Sequence, residues 1–421
     1  VKRPDERVYV IGIGATPVGR HVDLSFTDLV QEAYTAAVTD ARLADPDRIE
    51  ATWFANVMMD FWGQRSMRGH AVMLPLIEEK HFPDGQRITN VEGACASGSV
   101  AFHGAWSAVK RGADLTLAVG VEKMNDAERP GSEILQWMEG VGNQLYPDAY
   151  YRPLRELAAE FGLDFALDAN RSFAMDYYAL LALSHMRDYG TTAEHIAAAA
   201  AKNHTNAVGN PRAQYRFPMT VEEVLADRTV VAPLTRAMCA PRGDGAAAAL
   251  VCSEGYLKQQ PSEVQDRALL VRGHSIAGGK LGGTWESDRS TVRCAEQTFR
   301  MAGLTPQALD LVEVHDATAF AEMHLVEDLG LCPRGQGGPF TESGATARDG
   351  QIPVNASGGL VSRGHPIGAT GIIMLNEIAA QLRGEAGECQ VPDARIAMAE
   401  NGGGVHGLDT ALCSTTILQR A

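Results

Sequence analysis

The sequence predicts a layered α/β fold built from two similar halves, the first carrying a large insertion. Short apolar, strand-like runs alternate with segments whose apolar residues recur at helical spacing. Two of the strand-like runs, LTLAVGVEKM at 115–124 and ARIAMAENGGG at 394–404, resemble one another at corresponding places, as an internal duplication would leave them. Between about 121 and 240 the texture changes: aromatic and charged residues cluster, and helical segments alternate with irregular ones.

VYVIGIG at 8–14 reads as a short buried strand ending in glycines, and FTDLVQEAYTAAVTDA at 26–41 as the helix that covers it. ADLTLAVGVEKM at 113–124 is a second apolar strand, running into a polar loop. The stretch 132–165, SEILQWMEGVGNQLYPDAYYRPLRELAAEFGLDF, belongs to an insertion over about 121–240 that would build substrate walls. MCAPRGDGAAAALVCSE at 238–254 then gives a turn and a buried strand, completing a first half over 1–266. The second half, 267–421, begins with the strand-like RALLVRGHS. LDLVEVHDATAFAEMHLVEDLG follows as strand then helix, and ARIAMAENGGGVHGLDTALCSTTIL closes the chain as strand, glycine turn and strand.

A chain of 421 residues, 45% apolar, has ample material for a core and suggests two domains or one domain with a large insertion. Its formal charge of -15 disfavours nucleic acid and anionic lipid surfaces, while leaving room for a local basic mouth toward an anionic ligand. Seven cysteines without a C-x-x-C spacing indicate neither a disulfide framework nor a thiolate metal site, so no metal is expected in this chain. With no signal segment or long apolar run, a soluble cytoplasmic protein is expected.

Four stretches could carry chemistry. In VEGACASGSVAFHGAW, Cys95 follows a turn of small residues and precedes a helical run with apolar side chains at 102, 105, 106 and 109. There it would meet unsatisfied helix N–H groups that lower a thiol pKa, yet free cysteine is usually a packed hydrophobe; the stretch leaves both readings open. In VEVHDATAF, His315 and Asp316 fall at a strand end, where α/β sites gather, or on an ordinary surface loop. VNASGGLVSRGHPIGATG, 354–371, holds His365 in a turning glycine-rich backbone, fit for a structural turn or a phosphate cradle, though no G-K-[ST] signature is present. Glu400-Asn401-Gly402-Gly403-Gly404 reads as a tight hairpin turn or as a source of N–H donors for an oxyanion. Together they hold what acyl transfer through a thioester needs, or they are four unrelated features.

At these residues the sequence resembles the thiolase family over essentially its whole length, most closely the sterol-carrier-protein-2-type branch. EGACASGS resembles the nucleophile motif, HDATAF the branch-specific form with histidine in place of asparagine, GHPIGATG the histidine motif and NGGG the terminal glycine turn. The resemblance implies duplicated βαβαβαββ halves in a five-layered α-β-α-β-α arrangement with an inserted loop domain, a homodimer, and a coenzyme A thioester substrate.

It further implies that Cys95 attacks the ketone of a 3-oxoacyl-CoA and that His365 activates its thiol. His315 and His365 would stabilise charge on a thioester oxygen, and the backbone N–H groups of Cys95 and Gly402 would form a second oxyanion hole. Arg212, Arg216 and Arg228 are candidates for the basic mouth that holds CoA. Conventional thiolases carry a second cysteine before the glycine turn; here Glu400 stands in its place, as a catalytic substitute or as a structural carboxylate.

Related family members supply the alternatives: acyl transfer to a non-CoA carbon acceptor, retro-aldol cleavage, or a non-catalytic scaffold or lipid carrier. Some members pair with a small zinc-containing OB-fold subunit as a heterotetramer, including thiolases for bulky or aromatic substrates such as benzoylsuccinyl-CoA. A bulky acyl group is expected here, its pocket lined by Phe61, Trp62 and the aromatics of ILQWMEGVGNQLYPDAYY.

Overall fold

Alternation of side chains along the strands sets the architecture of the computed structural model, which describes residues 6–139, 145–168, 171–282 and 289–420. The first half contributes β1 (Val8–Ala15), α1 (Phe26–Asp40), β2 (Ala51–Ala55), α2 (Arg68–Glu78), β3 (Arg87–Val91), α3 (Ser97–Lys110) and β4 (Leu115–Glu122). Then come five helices, α4 (Gly131–Glu139), α5 (Pro147–Glu160), α6 (Phe173–Tyr189), α7 (Ala193–Ala207) and α8 (Val221–Ala226), and the small hairpin β5 (Thr229–Val231) and β6 (Leu234–Thr235). β7 (Gly245–Ser253) returns to the sheet, and the single turns α9 (Glu254–Leu257) and α10 (Ser262–Gln265) lead on.

The second half runs β8 (Leu269–Gly278), α11 (Ser290–Ala302), β9 (Leu311–Glu313), α12 (Ala319–Asp328), α13 (Gly337–Glu342), α14 (Gly359–Arg363), α15 (Thr370–Arg383), β10 (Ile396–His406) and β11 (Asp409–Arg420).

Nine strands form one sheet in the order β3-β2-β4-β7-β1-β8-β11-β10-β9. From its centre outward the first half reads β1, β7, β4, β2, β3, with two antiparallel and then two parallel pairings. The second half repeats this as β8, β11, β10 and β9, with a parallel bridge from Val312 to Val354 in place of a fifth strand. β4 and β10, the two runs that resemble one another in sequence, therefore occupy equivalent places. β1 and β8 join the halves at Tyr9–Leu270 and Val10–Leu269.

Along β4 and β7 the side chains divide by parity. Leu115, Leu117, Val119, Ala246, Ala248 and Leu250 pack outward with Leu29, Val30 and Ala33 of α1. Ala118, Ala247, Ala249 and Val251 face inward onto α3 and α15. α3 and α15 pack against each other and against strands of both halves, and α11 covers β8 and β11 outside. The layers thus run helix, half-sheet, helix pair, half-sheet, helix. Alanines recur on the inner face because the central helices approach closely; a Cβ on Gly120 would lie 2.5 Å from the Gly368 carbonyl oxygen.

The helices between β4 and β7 pack across the second half, burying Leu154, Tyr177, Leu181 and Ile196 with Phe320 and Met323 of α12. Among the described residues no helix is long and apolar enough to cross a membrane.

One local expectation is corrected. Residues 400–404 are not a turn: β10 runs through them to His406, and the chain reverses at Gly407–Leu408. Their glycines serve close approach, because a Cβ on Gly403 would stand 2.2 Å from the Gly93 carbonyl oxygen and 2.4 Å from the Ala96 nitrogen.

Candidate active site

The turn that carries Cys95 is built on strain. After β3, Gly93 leads to Ala94 at φ +48, a left-handed conformation that a non-glycine residue adopts at a cost of roughly 1 kcal/mol or more. A single 3₁₀ turn, Ala94–Ala96, then feeds α3. Ser97 holds the turn, accepting the Gly93 N–H at 2.9 Å and donating to the Ala94 carbonyl at 2.6 Å.

Cys95 is thereby half-buried at the wall of a cavity. Its thiol does not have the lowered pKa expected at a helix start: burial pushes it up to about 12, and the charges of Glu92 and Glu122 add to that. The N–H groups of Cys95 and Gly404 point at the sulfur and oppose the rise, but desolvation outweighs them. Gly404 reaches it with φ +67, which takes it out of the regular β10–β11 pairing.

Two histidines complete the centre. The Cys95 sulfur and one ring nitrogen each from His315 and His365 all lie within 4.8 Å of one another. The rings meet edge to face, with centroids 5.0 Å apart. Thr370 Oγ1 donates to the Pro366 carbonyl at 2.9 Å, so it accepts from His365 Nδ1–H at 2.7 Å and leaves Nε2 as the basic nitrogen. Asn401 does the opposite for His315. Its Oδ1 accepts the Ser99 hydroxyl at 2.8 Å, and its Nδ2 donates to His315 Nδ1 at 2.9 Å, so the His315 proton sits on Nε2.

Burial and the Arg363 charge hold His315 at about 3; burial, His315 and Arg363 hold His365 well below its usual value. The resting centre is therefore a neutral thiol, a neutral base and a neutral N–H donor.

The cavity has a volume of about 470 Å³. Its aromatic walls are Phe173, Tyr177 and Tyr178 of α6 and Tyr215, with Met124, Leu135 and Met138 beside them. The expected wall residues are elsewhere. Trp62 and Trp137 each meet Phe61 edge to face, Arg129 lies over Phe61 and Trp62, none of the three aromatics lines the cavity, and Tyr146 is exposed. Residues 140–144 of that stretch lie outside the described residues.

Of the arginines chosen from sequence, only Arg228 lines the cavity; it makes no ion pair among the described residues. Arg212 is bound to Glu377, and Arg216 is an exposed residue at the Val208 carbonyl. Arg171, Arg236 and Arg242 line the cavity without having been singled out.

Glu400 is fully buried but does not line this cavity. It sits behind His315 in a separate chamber of about 20 Å³ with Tyr178, Arg289 and His324. One oxygen accepts the His315 backbone N–H at 3.1 Å and the other the Cys413 thiol at 3.3 Å. Burial raises its pKa to about 7.

The glycine-rich stretch 354–371 does not cradle phosphate. The donors that a phosphate would need are taken by buried carboxylates: Ser357 N–H by Glu313, Leu360 and Val361 N–H by Asp316, and Gly368 N–H by Glu122. Asp316 is thus a brace for the His365 loop. Glu122, Asn401 and Thr370 were missed in the sequence. Thr370 lies inside GHPIGATG and Asn401 inside ENGGG, but their partners lie in other parts of the fold or along a turn whose shape the motif does not spell out.

Residues 8–232 match the thiolase N-terminal domain and residues 284–419 the thiolase C-terminal domain-like family. The chain belongs to the thiolase family. An acetyl-CoA acetyltransferase of Methanothermobacter thermautotrophicus is 37% identical over 95% of this thiolase and 97% of the relative. Bovine sterol carrier protein 2 is 33% identical over 94% of this chain and 70% of its own. The benzoylsuccinyl-CoA thiolase subunit BbsB of Thauera aromatica is 30% identical over 96% and 97%. Among solved structures, the Ltp2-ChsH2(DUF35) aldolase superposes with a TM-score of 0.77 at 22% identity, covering 98% of both chains.

Proposed function

We propose that this thiolase cleaves a bulky or aromatic 3-oxoacyl-CoA with coenzyme A, or runs the reverse Claisen condensation, through an acyl-Cys95 intermediate. The observation that carries this is the neutral Cys95–His365–His315 centre at the cavity wall, with a basic Nε2 on one histidine and an Nε2–H on the other. His365 takes the thiol proton as sulfur attacks the C3 carbonyl, so no standing thiolate has to be desolvated. The N–H groups of Cys95 and Gly404 serve the C3 oxygen, with Gly402 the position that matches the family motif. The C2–C3 bond then breaks, and His315 Nε2–H stabilises the enolate oxygen of the departing thioester. Free CoA takes the acyl group from Cys95, which regains its proton from His365.

The aromatic and methionine walls favour a bulky acyl group, as does the benzoylsuccinyl-CoA for which the Thauera relative is named. Arg228 and Arg242, the latter held by the Gly131 carbonyl, supply positive charge for the anionic part of CoA. The reading includes a homodimer and a small zinc-containing OB-fold subunit giving a heterotetramer. It is supported by a relative named as a thiolase subunit and by the Ltp2-ChsH2(DUF35) neighbour.

The test compares an aromatic 3-oxoacyl-CoA with acetoacetyl-CoA as substrates, with any copurifying subunit retained, and follows Cys95 by mass spectrometry. Expected are an acyl adduct on Cys95, loss of turnover in Cys95→Ala, and about a tenfold or greater kcat/KM preference for the aromatic substrate. An acetoacetyl preference refutes the bulky substrate, and absence of the adduct refutes thiolysis altogether.

A further inference from the structure

Thiolysis leaves one proton without a carrier. Breaking C2–C3 puts an electron pair on C2, which must gain a proton, and the incoming CoA thiol must lose one. His365 is occupied with the Cys95 proton, and Glu400 is walled off from the cavity.

Five residues line both the Cys95 cavity and the Glu400 chamber: Tyr177, Tyr178, His315, Gly402 and Thr410. Four are unsuited to carry a proton between the two. Tyr177 donates to the Leu408 carbonyl at 3.3 Å and shares a side-chain hydrogen bond with Thr410. His315 is fixed by Asn401, and Gly402 has no side chain. Tyr178 alone presents a hydroxyl with no hydrogen-bond partner among the described residues, and it lies within electrostatic reach of both Cys95 and Glu400.

We propose that Tyr178 is the general acid–base of this site and that Glu400, behind it, is its proton reservoir. The proposal rests on the thiolytic reading. As the C2–C3 bond breaks, the Tyr178 hydroxyl gives its proton to C2 and takes one from the Glu400 carboxylic acid, leaving a carboxylate. When CoA enters, its thiol gives a proton to Tyr178 as Tyr178 passes its own to Glu400, and the CoA thiolate displaces Cys95 from the acyl group. Each residue ends as it began.

The two environments suit these roles. Burial and the neighbouring Tyr177, Cys95 and Glu400 charges raise the Tyr178 hydroxyl well above its usual pKa, so it relays a proton and does not persist as a phenolate. Glu400, at about 7, can give and accept a proton near neutrality. The groups facing it are the His315 N–H, the Cys413 thiol, Cys294 and Asp328, with Arg289 and His324 across the chamber.

The experiment uses Tyr178→Phe, Glu400→Gln and the double variant, with the 3-oxoacyl-CoA that the wild type cleaves. Each single change should lower kcat about 10²-fold or more, with KM within about threefold of wild type. Incorporation of deuterium from D2O at C2 of a bound acyl-CoA should fall in parallel, while iodoacetamide alkylates Cys95 at the wild-type rate, showing an intact nucleophile. Because both residues act in one relay, the double variant should be no slower than the slower single. The pH–rate limb near 7 should vanish in Glu400→Gln. Wild-type turnover and exchange in Tyr178→Phe, or a double variant that multiplies the two losses, overturns the relay. A wild-type protein that never acylates Cys95 instead overturns the thiolytic reading beneath it.

Discussion

Glu122 and Glu400 stand on equivalent strands of the two halves, β4 and β10, and each braces the loop that follows its parallel neighbour. Burial raises both to a pKa of about 7. Their surroundings differ. Glu122 accepts four hydrogen bonds, from the Val57, Met58 and Gly368 N–H groups and the Asn56 amide, at 2.8–3.1 Å. Glu400 accepts two, from the His315 N–H and the Cys413 thiol, and borders a small chamber of about 20 Å³. A carboxylate with its oxygens saturated by backbone donors is committed to holding loops in place. One left half-satisfied beside a cavity is free to exchange a proton.

The largest effect that would break this contrast is on stability. Glu122→Ala strands four donors in the interior and should cost about 3 kcal/mol or more in denaturant unfolding. Glu400→Gln should cost less than half of that. Equal losses would mean that both carboxylates are structural.

A smaller effect lies in pH. Between the ordinary carboxyl value of 4.5 and about 7, native Glu400 keeps a proton that the unfolded chain has released. Its contribution to stability therefore falls as pH rises through that window. Relative to wild type, Glu400→Gln should relieve that fall by up to about 1 kcal/mol per pH unit, measured as the difference between two stability–pH curves. Parallel curves would mean that Glu400 is ionised throughout. The difference is needed because His315 and His365, held neutral, lose stability in the opposite direction as pH drops below 6.5.

The smallest concerns Cys413. Cys413→Val removes one of the two donors to Glu400 and should raise the neutral limb of the pH–rate profile by about half a unit. An unmoved limb would assign it to another group.

Much of the site was legible before folding, because its reactive atoms sit in local motifs. Cys95 needs a turn of small residues before a helix, and EGACASGS shows one; His365 sits in GHPIGATG, five residues before the threonine that fixes its tautomer. Two of the three arginines lie away from the cavity that Arg228 lines, because one guanidinium reads like another until its partner is known: Glu377 claims Arg212 from 165 residues away. The aromatic walls failed likewise. Trp62 and Trp137 are aromatic in sequence, yet both pack on Phe61, while Phe173, Tyr177 and Tyr178 turn one face of α6 into the cavity. The thiol pKa failed because helix-end polarity is local and desolvation is not.

By itself the sequence determined the alternating layers, the repeat that puts β4 and β10 in equivalent places, the order of the motifs and the turn of small residues that carries Cys95. Those follow from periodicity and from contacts only a few residues long. The tertiary structure alone decided which of two buried glutamates is saturated, which nitrogen of each histidine carries its proton, and that Tyr178 lines both the Cys95 cavity and the Glu400 chamber. Each depends on groups from separate segments meeting out of water, where one missing donor or one nearby charge changes what a side chain can do.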